Sequence, residues 1–432
     1  MEEQILREAV RKYGTPLYIF DQREITHVIG EFRRELGERS RICFAVKANP
    51  FLVREFAAAA DRIEVCSMGE YRICRKLQIP PQKLLISGVL KRPEDIREIL
   101  SEVGAAAVYT AESQLQFHLL KSWAEENRVQ LRVHLRLTAG SQFGMDRTVL
   151  EEIIRSEKKN PYIEFIGIHY FSGTQKRNIG KIRKELLMLD DYLAHLKNDL
   201  DFAAPELEYG PGLNAAYFEN QEETEEKDRR ELGSILSGLT WKGTAVLEMG
   251  RALAAYCGTY LTKAEDLKRN DGRNYCITDG GLHQLNYDGQ IRGMYVPHLQ
   301  VLKKPEADAS GSRTDAGSGE AVNGEAVSGN VSCDRTLNEN EGEDHAWTIC
   351  GSLCTTNDIL IQKVGIPFLE AGDVLAFERT GAYSVTEGMA LFLSHELPAA
   401  VLYNSESGFR LLRPRTETYA FNSPHGPDEI DL

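Results

Sequence analysis

Between residues about 40 and 250, short β-rich runs ending in small or polar residues alternate with longer stretches of helical periodicity, the pattern of repeated βα units. Eight such runs occur: Ile42–Val46, Ile63–Cys66, Leu84–Ile86, Ala105–Tyr109, Leu131–Leu137, Phe165–Tyr170, Leu207–Tyr209 and Ala245–Leu247. Among the helical stretches, Ile182, Leu186, Leu189, Leu193, Leu196 and Leu200 recur at three- and four-residue steps, which makes a core-facing stripe. His195 on the same helix reads as a surface or boundary residue. Eight parallel strands with crossover helices in about 210 residues fit an α/β chain folded as a (β/α)8 TIM barrel, with a doubly wound open sheet as the alternative.

After residue 265 the rhythm changes to strand-like runs without long helices: Tyr275–Thr278, Tyr295–Leu302, Trp347–Cys350, Val374–Phe377, Ala399–Tyr403 and Phe409–Leu412. A second, mostly β domain, sandwich- or barrel-like, is expected there. The early run Pro16–Phe20 is suited to joining its sheet. The predicted division is therefore a barrel over 26–265 and a discontinuous β-domain over 1–25 and 266–432. Residues 304–345 are rich in Gly, Ala, Ser, Asn and Glu and almost free of large apolar side chains, which reads as a disordered insertion and a tolerated loop extension. With ten acidic and three basic residues, this segment carries half of the chain's formal net charge of −14.

The remainder is only mildly acidic, and that balance argues against nucleic acid or an anionic membrane as partner and for a small molecule. An acidic start, Met1-Glu2-Glu3-Gln4, and the lack of an apolar run near 20 residues predict a cytoplasmic protein. The eight cysteines are scattered, with no CxxC pair and no His at metal-ligand spacing; reduced thiols are expected and no metal site.

Chemistry enters through position. Lys47, Ser67, Arg136, His169, Ser172, Gly210, Gly212, Glu248 and Arg251 all fall at or just after the ends of predicted barrel strands, and so on the one rim where barrel active sites are built. A lysine after a buried strand would have its ammonium partly desolvated and its pKa lowered, which favours imine formation. Taken alone, Lys47 reads better as a snorkelling surface lysine, and without the Gly250-Arg251 pair after it Glu248 would read as a salt-bridged strand-end carboxylate.

The ordered segments Tyr13–Tyr18, Phe44–Pro50, Glu64–Glu70, Phe143-Gly144-Met145, Gly167–Gly173, Glu248-Met249-Gly250-Arg251 and Cys350–Asp358 resemble the signatures of the fold-type-III pyridoxal-5′-phosphate decarboxylases, the diaminopimelate, ornithine and arginine decarboxylase group. The resemblance spans nearly the whole chain and implies a pyridoxal phosphate barrel followed by a β-domain. It implies that Lys47 carries the cofactor as a Schiff base, that Glu248 pairs with the pyridine nitrogen, and that His169 stacks on the ring. Ser172, Arg251 and Tyr383 match residues around the phosphate; Arg136, Glu64, Gly250 and the loop Gly210-Pro211-Gly212 match other cofactor contacts. Pro211 and Met249 depart from the family's usual residues.

By the same resemblance Cys354 supplies the catalytic thiol, reaching across a homodimer interface to reprotonate the α-carbon. Thr355 stands where relatives that bind a distal ammonium often carry an acid. That points away from diaminopimelate, ornithine and lysine, and towards a neutral distal end such as an aminoacyl group tethered to a carrier protein, unless Asp358, Glu70 or Asp288 supplies the charge. Arg292 and His283 are further substrate candidates. A racemase of the same fold and a non-catalytic regulator are the alternative readings; Cys354 in its CxxxD setting favours decarboxylation.

Overall fold

The computed structural model of the protein describes residues 1–304 and 345–424. The first strand, β1 (Leu17–Asp21), precedes the barrel, whose wall is β2 (Ser40–Ala45), β3 (Arg62–Val65), β4 (Leu84–Ile86), β5 (Val108–Ala111), β6 (Leu131–Arg136), β7 (Ile163–Phe171), β8 (Glu206–Gly210) and β9 (Thr244–Met249). These pair in parallel in chain order, and β9 returns to β2, so the sheet is closed and the open-sheet alternative falls. The stripe on helix Ile179–Leu200 is buried as its periodicity predicts, whereas His195 is partly exposed and contacts Glu151 and Asp199.

The barrel's interior is unusual in its charge. A lower layer of Leu85, Val108, Ile166 and Val246 with Cys43 is apolar. Beside it Arg62, His134, Glu206 and Glu208 form a polar network, with Arg62 Nη1 3.0 Å from Glu206 and 2.6 Å from Glu208. Burial without such partners would cost several kcal/mol per ion, so the ions come as a paired set.

The second sheet is built from β10 (Gly258–Asn270), β11 (Arg273–Thr278), β12 (Leu299–Leu302), β13 (Ala346–Cys350), β14 (Ile359–Gly365), β15 (Val374–Glu378), β16 (Ala399–Asn404) and β17 (Gly408–Arg413), with β1 between β10 and β16. β1 therefore joins the C-terminal sheet, antiparallel to β10 and parallel to β16.

Three strand expectations are corrected. The run at 105–109 starts as a 3-10 turn over Gly104–Ala106, and β5 begins only at Val108. The run at 295–302 is extended sheet only from Leu299, because Tyr295 is tied back to Gln290 and Pro297 has no N–H to give a ladder. The sequence reading also overlooked the 13-residue β10, which carries the chain out of the barrel and whose exposed half alternates weakly. Of the expected insertion over 304–345, residues 305–344 lie outside the described residues; at its ends Lys304 N–H donates to the Asp373 carboxylate and His345 C=O accepts from Ile366 N–H.

Candidate active site

Lys47 follows β2 in a short 3-10 turn at the carboxyl end of the barrel. Its Nζ lies 2.6 Å from Glu64 Oε2 on β3, 3.2 Å from Glu248 Oε1 on β9 and 3.6 Å from Cys66 Sγ. The side chain is 40% exposed, opening into a cleft of about 400 Å³ that is lined by Ala45, Phe171, Thr174, Gly212, Leu213, Glu248, Gly250, Arg251 and Tyr383. Burial pushes the lysine pKa down, but Glu64 and Glu248 outweigh it and hold the ammonium well above the ordinary value. The expected lowering is thus reversed: burial is the largest single influence on the amine, but two carboxylates within hydrogen-bond reach together outweigh it and decide the sign.

Glu248 is nearly buried. Burial would raise its pKa, yet Lys47, Glu64 and Arg136 together keep it below the usual carboxylate value. Arg136, at the end of β6, donates to Glu112 (2.9 Å) and carries Phe143 against its guanidinium at 4.8 Å. Lys91, on the loop after β4, donates to Gly88 O and Gln116 Oε1, and burial lowers its pKa to about 8.

On the opposite side, Arg251 donates to the Tyr217 hydroxyl (2.6 Å) and lies over the Tyr383 ring at 4.6 Å. Gly212 has φ +62°, and a Cβ there would come 2.0 Å from Gly173 O, so the loops after β7 and β8 meet only because this position is glycine. A Cβ on Gly250 would fall 2.7 Å from the Ala48 methyl and 2.9 Å from the Tyr383 hydroxyl.

Three residues expected at the cofactor from β7 and β8 stand outside the cleft lining. His169 lies inside the barrel, 1% exposed, and does not line the cleft; Phe171, two residues on and on the same face of the strand, does. The Ser172 hydroxyl donates to Glu185 on the outer helix Ile179–Leu200 at 2.5 Å, and the hydroxyl at the cleft is that of Thr174. Gly210 does not line the cleft either. A Cβ there would meet a Phe171 ring carbon at 2.4 Å, so this glycine makes room for the ring. Phe171 was legible in principle, since period-two alternation places 169 and 171 on one face and leaves the rim to the later residue, whereas Thr174 lies beyond the end of β7 and has no such signal.

The β-domain candidates lie elsewhere. Cys354 is exposed at the tip of the loop joining β13 to β14 and does not line the Lys47 cleft of its own chain. Asp358 is buried; its carboxylate accepts from the backbone N–H groups of Leu282 and Leu353, both at 2.8 Å, and so shapes that loop. Burial raises its pKa against those two bonds. Thr355 shapes the same turn, its hydroxyl accepting from Asn357 N–H. His283 is buried with its ring 4.9 Å from that of His395, and burial chiefly, then His395, lowers its pKa to about 4. Arg292 is exposed in a second cleft of about 700 Å³, with φ +47°.

The donor set fits pyridoxal phosphate: a lysine amine, a buried carboxylate held ionised, and a cation with Tyr383 and bare-backbone glycines at the far end of one cleft. Arg251 Nε, buried and without a hydrogen-bond partner among the described residues, leaves hydrogen-bonding capacity at the far end. Closed barrel, β-domain and this donor set define a cofactor-dependent barrel enzyme. The model of the pyridoxal-dependent decarboxylase pyridoxal binding domain matches residues 22–255, more than half of the chain, and the protein belongs to that family and uses pyridoxal phosphate.

The L-glutamyl-[BtrI acyl-carrier protein] decarboxylase of Niallia circulans is 23% identical over 93% of this chain and 92% of its own. A diaminopimelate decarboxylase of Aquifex aeolicus is 26% identical over 96% and 92%. In fold, the chain superposes on the diaminopimelate decarboxylase of M. jannaschii with a TM-score of 0.77 at 20% identity, covering 98% and 95%.

Proposed function

We propose that this decarboxylase acts on an amino acid whose distal end carries no positive charge, an aminoacyl group tethered to a carrier protein being the form that fits best. The observation that carries the reading is that the acids the sequence offers for a distal ammonium are already engaged. Both Asp358 oxygens accept backbone N–H groups, Glu70 accepts from Cys66 N–H at 2.6 Å, and Asp288 stands 3.7 Å from Arg251. Beside Cys354 stands the neutral Thr355. A distal ammonium brought here would lose its hydration without gaining a counter-ion. The carrier-linked glutamyl substrate in the name of the Niallia relative supports the same reading.

Bound pyridoxal phosphate supplies the electron sink for loss of CO2. Lys47 would anchor it through its amine. Glu248, with Arg136 still acting on it once Lys47 is engaged, would hold a proton at the ring nitrogen. Arg251 and Tyr383, with the bare backbone at Gly212 and Gly250, hold the phosphate. Cys354, exposed on its loop, returns the proton to the α-carbon from a second copy of the chain, so that the active sites are shared in a homodimer.

The test is CO2 release from meso-diaminopimelate, ornithine, lysine and a glutamyl thioester of a carrier protein. The thioester is expected to give at least tenfold the kcat/KM of any diamino acid, a neutral pocket rejecting a buried ammonium by more than about 1.4 kcal/mol. Turnover of diaminopimelate at an equal or greater rate overturns the reading.

A further inference from the structure

We propose that His169 is a positioning residue that holds Glu248 by donating Nε2–H to Oε2, and that Phe171 is the aromatic side chain facing the cofactor ring. The inference rests on the cofactor assignment and not on which amino acid is decarboxylated.

The two residues share one face of β7 but not one level. His169 sits in register between Arg136 of β6 and Glu208 of β8, inside the barrel, whereas Phe171 pairs with Gly210 at the rim, about 7 Å further along the strand. Gly210 is shaped to that ring, since any Cβ would strike it. Within the barrel, His169 Nε2 lies 3.1 Å from Glu248 Oε2.

The pair is within contact distance but out of line for a hydrogen bond, and neither atom has another hydrogen-bond partner among the described residues. Two buried polar atoms this close and otherwise unpartnered are satisfied together by a small rotation; left apart, each bears its full desolvation cost. The groups that face the imidazole are Glu248 on β9, Glu64 on β3, Arg136 and His134 on β6, and Glu112 after β5. Burial first, then Arg136, drives its pKa well below the ordinary value, so the ring is neutral and carries a single N–H. With a carboxylate oxygen at Nε2, the tautomer with the proton on that nitrogen is the one that suits the site.

A neutral donor suits Glu248. It fixes the direction of the carboxylate without supplying a second cation to compete with the cofactor's ring nitrogen for its charge. Lys47, which leaves Glu248 when it anchors the cofactor, cannot keep that carboxylate oriented; His169, embedded in the strand, can.

His169→Gln keeps a side-chain N–H donor and loses the ring, and His169→Phe keeps a ring and loses the donor. Each is reconstituted with pyridoxal phosphate, and the cofactor's affinity and visible absorption are followed against pH, alongside CO2 release from whichever substrate turns over. We expect His169→Gln to keep cofactor affinity and the pH midpoint of the band close to the parent's. His169→Phe should weaken affinity or kcat about tenfold with KM little changed, and move the midpoint by about one pH unit. Loss of the band in His169→Gln, or parent-like behaviour of His169→Phe, overturns the proposal. Should His169→Phe not fold, Phe171→Leu decides: it should weaken cofactor binding several-fold, and unchanged binding overturns the assignment of the ring-facing side chain. Because the band is read without substrate, failure to find any decarboxylated amino acid leaves this test intact.

Discussion

At the scale of single residues, the barrel interior shows how neighbours set the charge state. Glu206 and Glu208, two residues apart on β8, share the Arg62 guanidinium, and one cation cannot keep both ionised. Burial pushes Glu208 up to about 8; against its own burial, His134 and Arg62 hold Glu206 down near 2. Because the folded pKa of Glu208 lies above an unfolded value of about 4.3, its contribution is fully present below that pH and is lost as pH rises through about 8. Glu208→Gln, which copies the protonated form, should be nearly neutral at pH 4.5 and stabilising by roughly 1–3 kcal/mol near pH 9. Glu206→Gln should destabilise at both, by roughly 1–2 kcal/mol, its quarter exposure lessening the cost. Urea unfolding at the two pH values checks this, and equal effects of the two substitutions would contradict it. None of this network could be read from the sequence, because inward-facing carboxylates and an arginine on separate strands carry no local signal of their meeting.

At the scale of elements, what was legible followed the period of the pattern. Eight strand runs were readable because buried parallel strands are short, continuous and apolar, and Lys47 and Glu248 were readable because a strand end fixes the rim. The end of β7 was misread by two residues: His169, Phe171 and Thr174 all stand near it, and only the level at which the strand leaves the barrel decides which of them meets the cleft. Long, half-exposed β10 escaped notice because its outer half has no apolar face.

The loop over 280–287 and the segment at His395 are coupled through the His283 and His395 rings, where burial and a second imidazole lower the His283 pKa to about 4. A depressed pKa contributes stability above the unfolded value of about 6.5 and loses it as pH falls towards 4. The melting temperature should therefore fall between pH 6.5 and 4 more steeply in the parent than in His283→Gln. Superimposable profiles would contradict this.

At the scale of the whole molecule, no described helix is long and apolar enough to cross a membrane, and the proposed mechanism divides the chemistry between a barrel that holds the cofactor and a β-domain loop on which Cys354 is exposed. Because Cys354 does not line its own chain's cleft, a shared site predicts complementation. Inactive Lys47→Ala and inactive Cys354→Ser proteins, mixed and allowed to exchange subunits, should recover about a quarter of parental activity, since half the dimers are mixed and each has one intact site of two. No recovery despite exchange would place both residues in one chain's site.

The central claim, that Lys47 is the anchor of the cofactor, is tested most directly by borohydride reduction of the reconstituted protein followed by peptide mapping. The account predicts loss of the visible band and a single pyridoxyl group on Lys47. A label on Lys91, on the loop after β4, or no cofactor bound at all, would contradict it.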